Sequence, residues 1–262
     1  MSEEGRDPVV PPRPDAIHPT APADPGDGGG PRPTWGAVEA LWVYLTGLLT
    51  TAMLVTAVLL LVPPSPTANI AASMAVALLQ VGLLLAWLRW RHPGALAAIG
   101  LRAPGRLRAF RAGVGFGLLL YPATILLAGT ALQAILVAIT GKDVQPPQQV
   151  PSDLTTAGAV LVTVYAVLIA PLAEEFFFRG ILATPLVARF GLWRGAFLSS
   201  LAFASVHYAR GPWADSVLLM GVMIPVGMGL VWIRSRRGSL YASIGAHVVF
   251  NVIGLTLIAV YR

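Results

Sequence analysis

No cysteine occurs anywhere in the chain. Disulfides, thiolate metal sites and a cysteine nucleophile are excluded together, and any metal would have to be held by His, Asp or Glu. Charge is scarce too. Only 11% of the 262 residues are Asp, Glu, Lys or Arg, against about 25% in an ordinary soluble domain. With 56% hydrophobic residues and a mean hydropathy of +0.72, that shortage excludes a soluble globular fold. Lysine is almost missing, Lys142 being the single one, so arginine carries the net charge of +6. Two motifs of peptide hydrolysis are absent as well. There is no H-E-x-x-H to put two metal ligands and a base on one helix. There is no G-x-S-x-G to present a serine nucleophile.

What is present is a series of long apolar runs behind a polar leader. Residues 1–34 hold nine prolines, five glycines and a net charge of −3. Such composition cannot bury a core and predicts a disordered tail. No basic stretch leads there into a short apolar run, so a signal peptide is not expected. Residues 35–262 read as one helical transmembrane domain. Uncharged or nearly uncharged runs cover Leu41–Val62, Ala68–Leu88, 112–140, 156–189, Gly191–Tyr208, Val217–Ile233 and Leu240–Tyr261. The expected fold is all-α, a polytopic membrane helical bundle of about seven transmembrane helices. The fourth run exceeds a perpendicular crossing, and Pro171 and Pro185 are expected to bend it.

Arginines fix the expected orientation. They gather at 89–111, at Arg189 and Arg194, and at 234–237, all in alternate connections. By the positive-inside rule those connections are cytoplasmic, with the N-terminus inside and the C-terminus outside the cell membrane. Leu101, Leu107 and Phe110 interleave with the arginines of 89–111, which predicts an interfacial helix on lipid. That loop is too short and too enclosed between spans for nucleic acid. Arginine and alanine usage fits a GC-rich bacterial gene.

Pro171–Gly180 breaks the apolar pattern with Glu174, Glu175 and Arg179. A charge at the centre of a membrane helix costs roughly 2.5–3.5 kcal/mol, so three within a turn and a half require partners or a function. Two later runs supply partners. Phe203 and His207 share a face of the fifth, and His247 and Asn251 share a face of the seventh, both at i, i+4. Counting inward from the arginine loops at helical rise, Glu174, His207 and His247 lie about 22, 20 and 15 Å deep. Taken singly, Glu175–Arg179 reads as a self-neutralising pair, and His247/Asn251 as interhelical glue. His207 alone reads as a helix-end histidine, and Phe176–Phe178 as packing. Taken together they form a convergent intramembrane acid/base cluster.

The three motifs, Glu174-Glu175-x-x-x-Arg179, Phe203-x-x-x-His207 and His247-x-x-x-Asn251, resemble the signature of the CPBP family. These are the CAAX proteases and bacteriocin-processing enzymes, also called Abi proteins. The resemblance covers about Leu154–Ile258, with a weaker likeness around Gly100-Leu101. It implies an integral-membrane endopeptidase acting on a peptide or membrane-associated protein. Glu174 is then the base that activates water, and His207 orients that water or acts as acid. His247 and Asn251 donate to the developing oxyanion, while Glu175, Arg179 and Phe203 support the site. Glu174, His207 and His247 also make a two-His, one-carboxylate zinc set. The family has been read both as metalloproteases and as metal-free enzymes, and the missing H-E-x-x-H tilts the expectation to metal-free. A bacterial source turns the substrate away from prenylated CAAX proteins. Two other functions use the same residues: a catalytically silent scaffold regulating a membrane protein, and a proton-coupled transporter. The complete polar set disfavours the first, and the lack of an inverted repeat disfavours the second.

Overall fold

The computed structural model describes residues 32–147, 150, 154–209 and 211–261, with nothing said of the Tyr261 side chain. Residues 1–31 of the expected tail, with His18, lie outside that set, as do Asp153 and Arg210. Among the described residues there are helices and no strands. The long ones are α1 (Ala37–Leu59), α2 (Pro66–Arg91), and, after a short α3 (Ala95–Ala98), α4 (Arg106–Thr140). Then follow α5 (Thr156–Phe190), α6 (Leu192–Ser205), α7 (Trp213–Arg237) and α8 (Leu240–Tyr261).

Six of these are long and apolar enough to cross a membrane. The chain is a multi-pass membrane protein with the helical bundle expected of it, but the count of crossing-length helices is six rather than seven. The shortfall is α6. Its 14 residues rise about 21 Å, short of a hydrocarbon core of about 30 Å. The apolar run continues to Tyr208, yet the helix stops at Ser205, where the His207 imidazole takes the Phe203 carbonyl and the backbone turns through Val206–Tyr208.

Proline acts through helix register. Wider, π-type turns occupy Pro122–Gly129 in α4 and both Tyr165–Ile169 and Glu175–Leu182 in α5. Pro171 sits between the last two, where its missing N–H and the clash with the preceding turn are relieved by widening. The stretch 89–111 is not one helix: Arg89 and Arg91 end α2, α3 stands alone, and Arg106, Leu107, Arg108, Phe110 and Arg111 begin α4. The glycine at 100 (φ +83°) makes the turn there. Its carbonyl accepts from Leu240 N, and a Cβ at this position would meet the Ser239–Leu240 backbone. His92 is buried against Thr34 Oγ1 (2.9 Å) and Glu39 (3.2 Å), pinning the start of α1 to the end of α2.

Small residues let the helices close up. Gly113 and Gly117 of α4 face Ala242 and Ala246 of α8 so tightly that a Cβ on either would overlap the opposing backbone. This is a small-xxx-small seam on both helices, the arrangement that lets backbones approach in a membrane. In the same way Gly227 of α7 sits on Ser200 of α6, and Gly195 of α6 on the backbone at Val187 of α5. The aromatic core is built by α5 and α6 and includes Phe176, Phe177, Phe178, Ile181 and Phe203, with Trp35, Leu84, Leu88, Ile99 and Leu240 around it.

Candidate active site

The widened segment Glu175–Leu182 is buried at every position. Nearly all of its circumference is therefore protein, and its polar side chains must find protein partners. Glu175, fully buried, finds two through one oxygen. His247 Nδ1 donates to its Oε1 at 2.8 Å, and Arg179 Nη1 lies 3.2 Å from the same atom. Ser243, one turn before His247 on α8, also faces this carboxylate. Arg179 makes no well-angled hydrogen bond through Nη1 or Nη2. Its charge is met by Glu175 and by the face of Phe203, 3.9 Å from the guanidinium carbon, a desolvated cation–π contact of about 2 kcal/mol.

Phe203 is a hub. Its ring meets the edges of Phe178 (5.3 Å), His207 (4.6 Å) and His247 (6.0 Å between centroids). The motif on α6 therefore works through its phenylalanine as much as its histidine. Ser199, one turn earlier, ties α6 to α5 by donating to Phe178 O at 2.8 Å.

Glu174 points the other way. Its side chain keeps 27% exposure, and its Oε2 stands 3.7 Å from His247 Nε2, in ion-pair range but beyond a hydrogen bond. With Nδ1 donating to Glu175, Nε2 is the imidazole atom presented to Glu174. Glu174 also lines a cavity of about 470 Å3 between α1, α2 and α5.

The structure thus brings Glu174, Glu175, Arg179, Phe203 and His247 into one contiguous cluster from three helices. His207 joins only through Phe203. It lies just past the end of α6, half-buried, with Nδ1 on Phe203 O at 2.8 Å, and among the described residues no ion-pair contact links it to either glutamate. Asn251 is drawn aside, its Nδ2 donating to Ala166 O at 2.7 Å in the widened turn of α5. Among the described residues no three His, Asp or Glu side chains are grouped to hold a metal ion. Glu174, His207 and His247 as they stand do not fit a zinc site.

Sequence reading passed over several neighbours. Tyr44, Tyr165 and Gln80 line the cavity beside Glu174. Arg234, assigned above to an arginine loop, is instead buried at the end of α7, where Nη2 donates to Thr184 Oγ1 (2.8 Å) and Ala98 O (3.2 Å). The first three are neutral hydrogen-bonding side chains inside apolar runs, and nothing in the sequence marks their place beside Glu174.

Residues 156–253 match the family model described as Rce1-like, type II CAAX prenyl endopeptidase. The segment contains all three motifs. No curated protein and no solved structure matches the chain.

Proposed function

We propose, on the likeness of residues 156–253 to the Rce1-like type II CAAX prenyl endopeptidase family, that the chain hydrolyses peptide bonds within the membrane with a water activated by Glu174. The observation that carries this reading is the unequal setting of two adjacent carboxylates. Glu175 is fully buried and committed to His247 and Arg179. Glu174 is partly open, faces the cavity, and has His247 Nε2 at 3.7 Å.

The chemistry follows in balanced steps. Glu174 takes a proton from water as the water oxygen bonds to the scissile carbonyl carbon. The oxyanion that forms is met by a protonated His247 Nε2, whose ring is held by the Glu175 carboxylate behind it. As the C–N bond breaks, Glu174 returns the proton to the leaving amine. His207, fixed by Phe203, orients the water or assists as acid, and the second Nδ2 hydrogen of Asn251 is a further oxyanion donor. The reaction is metal-free in this reading, because among the described residues Glu174, His207 and His247 are not grouped to hold a metal ion. The substrate is a peptide or membrane-associated protein, the membrane a bacterial cell membrane, and the arginine connections cytoplasmic.

Terminal-peptide mass spectrometry on membranes from cells carrying the wild-type chain or Glu174→Ala tests the activity and identifies the substrate. New termini found only with wild type are expected. Identical terminal peptides in the two membranes would contradict the proposal.

A further inference from the structure

Glu174 lies at membrane depth, yet the proposed reaction consumes water. The cavity it lines has buried residues at one end and exposed ones at the other. Near Glu174 the floor is Leu84, Phe177 and Phe178, all buried, with the Tyr44 ring stacked on Phe177 at 3.8 Å. At the far end the rim is Thr56, Asn69 and Ser73, all exposed. Along α2, Asn69 stands about 16 Å from Gln80 at helical rise, toward the turn that joins α1 to α2. That turn is on the face where α5 begins, and α2 and α7 both carry their arginines at the opposite face.

The wall between rim and floor is not uniformly apolar. Asn69, Ser73 and Gln80 recur at intervals of four and seven residues, which puts them on one side of α2. Gln80 is 5% exposed, and its Nε2 donates to Tyr44 O at 2.9 Å. Its Oε1 is enclosed against Gly47 of α1. A row of polar groups along a cavity is the lining that holds water in a chain of hydrogen bonds.

We infer that this cavity is the water channel of the site, and that it admits water to Glu174 from the membrane face opposite the arginine connections. The inference rests on the endopeptidase reading for its purpose, but not for its geometry or its test. The hydroxyl and amide groups of Ser73 and Asn69 are its hydration sites. Tyr44 and Phe177 are the plug that keeps it from running through to the arginine face.

The cysteine-free chain allows a direct test. Single cysteines are placed at Ser73 and Ala77 on the channel side of α2, and at Leu78 and Leu79, exposed on its other side. Thr156→Cys and Pro104→Cys report the two membrane faces. A charged, membrane-impermeant methanethiosulfonate reacts with the thiolate, which forms only where water reaches the sulfur. It is applied to intact cells and to inverted vesicles. Ser73→Cys and Ala77→Cys are expected to react at least tenfold faster than Leu78→Cys and Leu79→Cys, and from the same face as Thr156→Cys. Channel positions as unreactive as Leu78→Cys, or reactive from the face of Pro104→Cys, would overturn the inference. Because labelling needs no turnover, its outcome is independent of the terminal-peptide comparison, which alone bears on whether the protein cleaves peptides.

Discussion

Two neighbouring glutamates in different settings are the residue-scale core of this site. Adjacent positions on a helix point about 100° apart. Here that angle sends Glu175 inward to Arg179 and His247 and leaves Glu174 on the cavity. Glu175→Gln keeps the shape but leaves the Arg179 guanidinium buried without its carboxylate. Removing one partner of a buried pair costs roughly 3–5 kcal/mol. The expected result is a marked fall in thermal midpoint in detergent, together with loss of turnover. A Glu175→Gln protein as stable as wild type would show that the pair does not hold the site together. Metal removal is the second residue-scale prediction. Turnover of the purified protein is expected to survive dialysis against a strong chelator, and stoichiometric zinc that disappears in both His207→Ala and His247→Ala would contradict it. The charged part of the site was legible in the sequence because an ionisable group at membrane depth is too costly to be incidental. Tyr44, Gln80 and Tyr165 were not, since a neutral polar side chain in a membrane helix is ordinary and only its place beside Glu174 makes it matter.

At the scale of elements, each motif is placed by a helix that another helix holds. α8 carries His247, and its position depends on the seam of Gly113 and Gly117 against Ala242 and Ala246. Gly113→Val would drive a side chain into the Ala242 carbonyl. Overpacking of this kind costs about 1–3 kcal/mol even where neighbours can yield, and backbone yields least. Gly113→Val is expected to lose folded yield and whatever turnover remains per folded molecule. Gly115→Ala on the same helix, with nothing within 4 Å of its added carbon, is expected to match wild type in both. Equal behaviour of the two variants, read by gel-filtration profile and thermal midpoint, would mean that the seam does not position His247. The helices themselves were largely legible as apolar runs. The glycine seam was not read, because Gly113-x-x-x-Gly117 lies among many small residues and its partner face sits more than a hundred residues away. Nor was the early end of α6, because apolar composition continues past Ser205 while the His207 side chain takes the Phe203 carbonyl.

Over the whole molecule, six crossing-length helices and a shorter seventh enclose one polar cluster whose open carboxylate faces a cavity. The buried aromatic core around Phe203 packs against the cluster, and the cavity between α1, α2 and α5 reaches Glu174. In the proposed reaction chemistry depends on Glu174 while integrity depends on its neighbours. The measurement that tests this most directly is turnover by purified Glu174→Gln of the peptide spanning the cut site, beside its thermal midpoint. Gln keeps the side chain's shape but cannot take a proton from water. The account predicts a thermal midpoint matching wild type, and a rate lower by at least the 10²-fold that a positioned general base contributes. A folded Glu174→Gln protein that cleaves the peptide at the wild-type rate would contradict it.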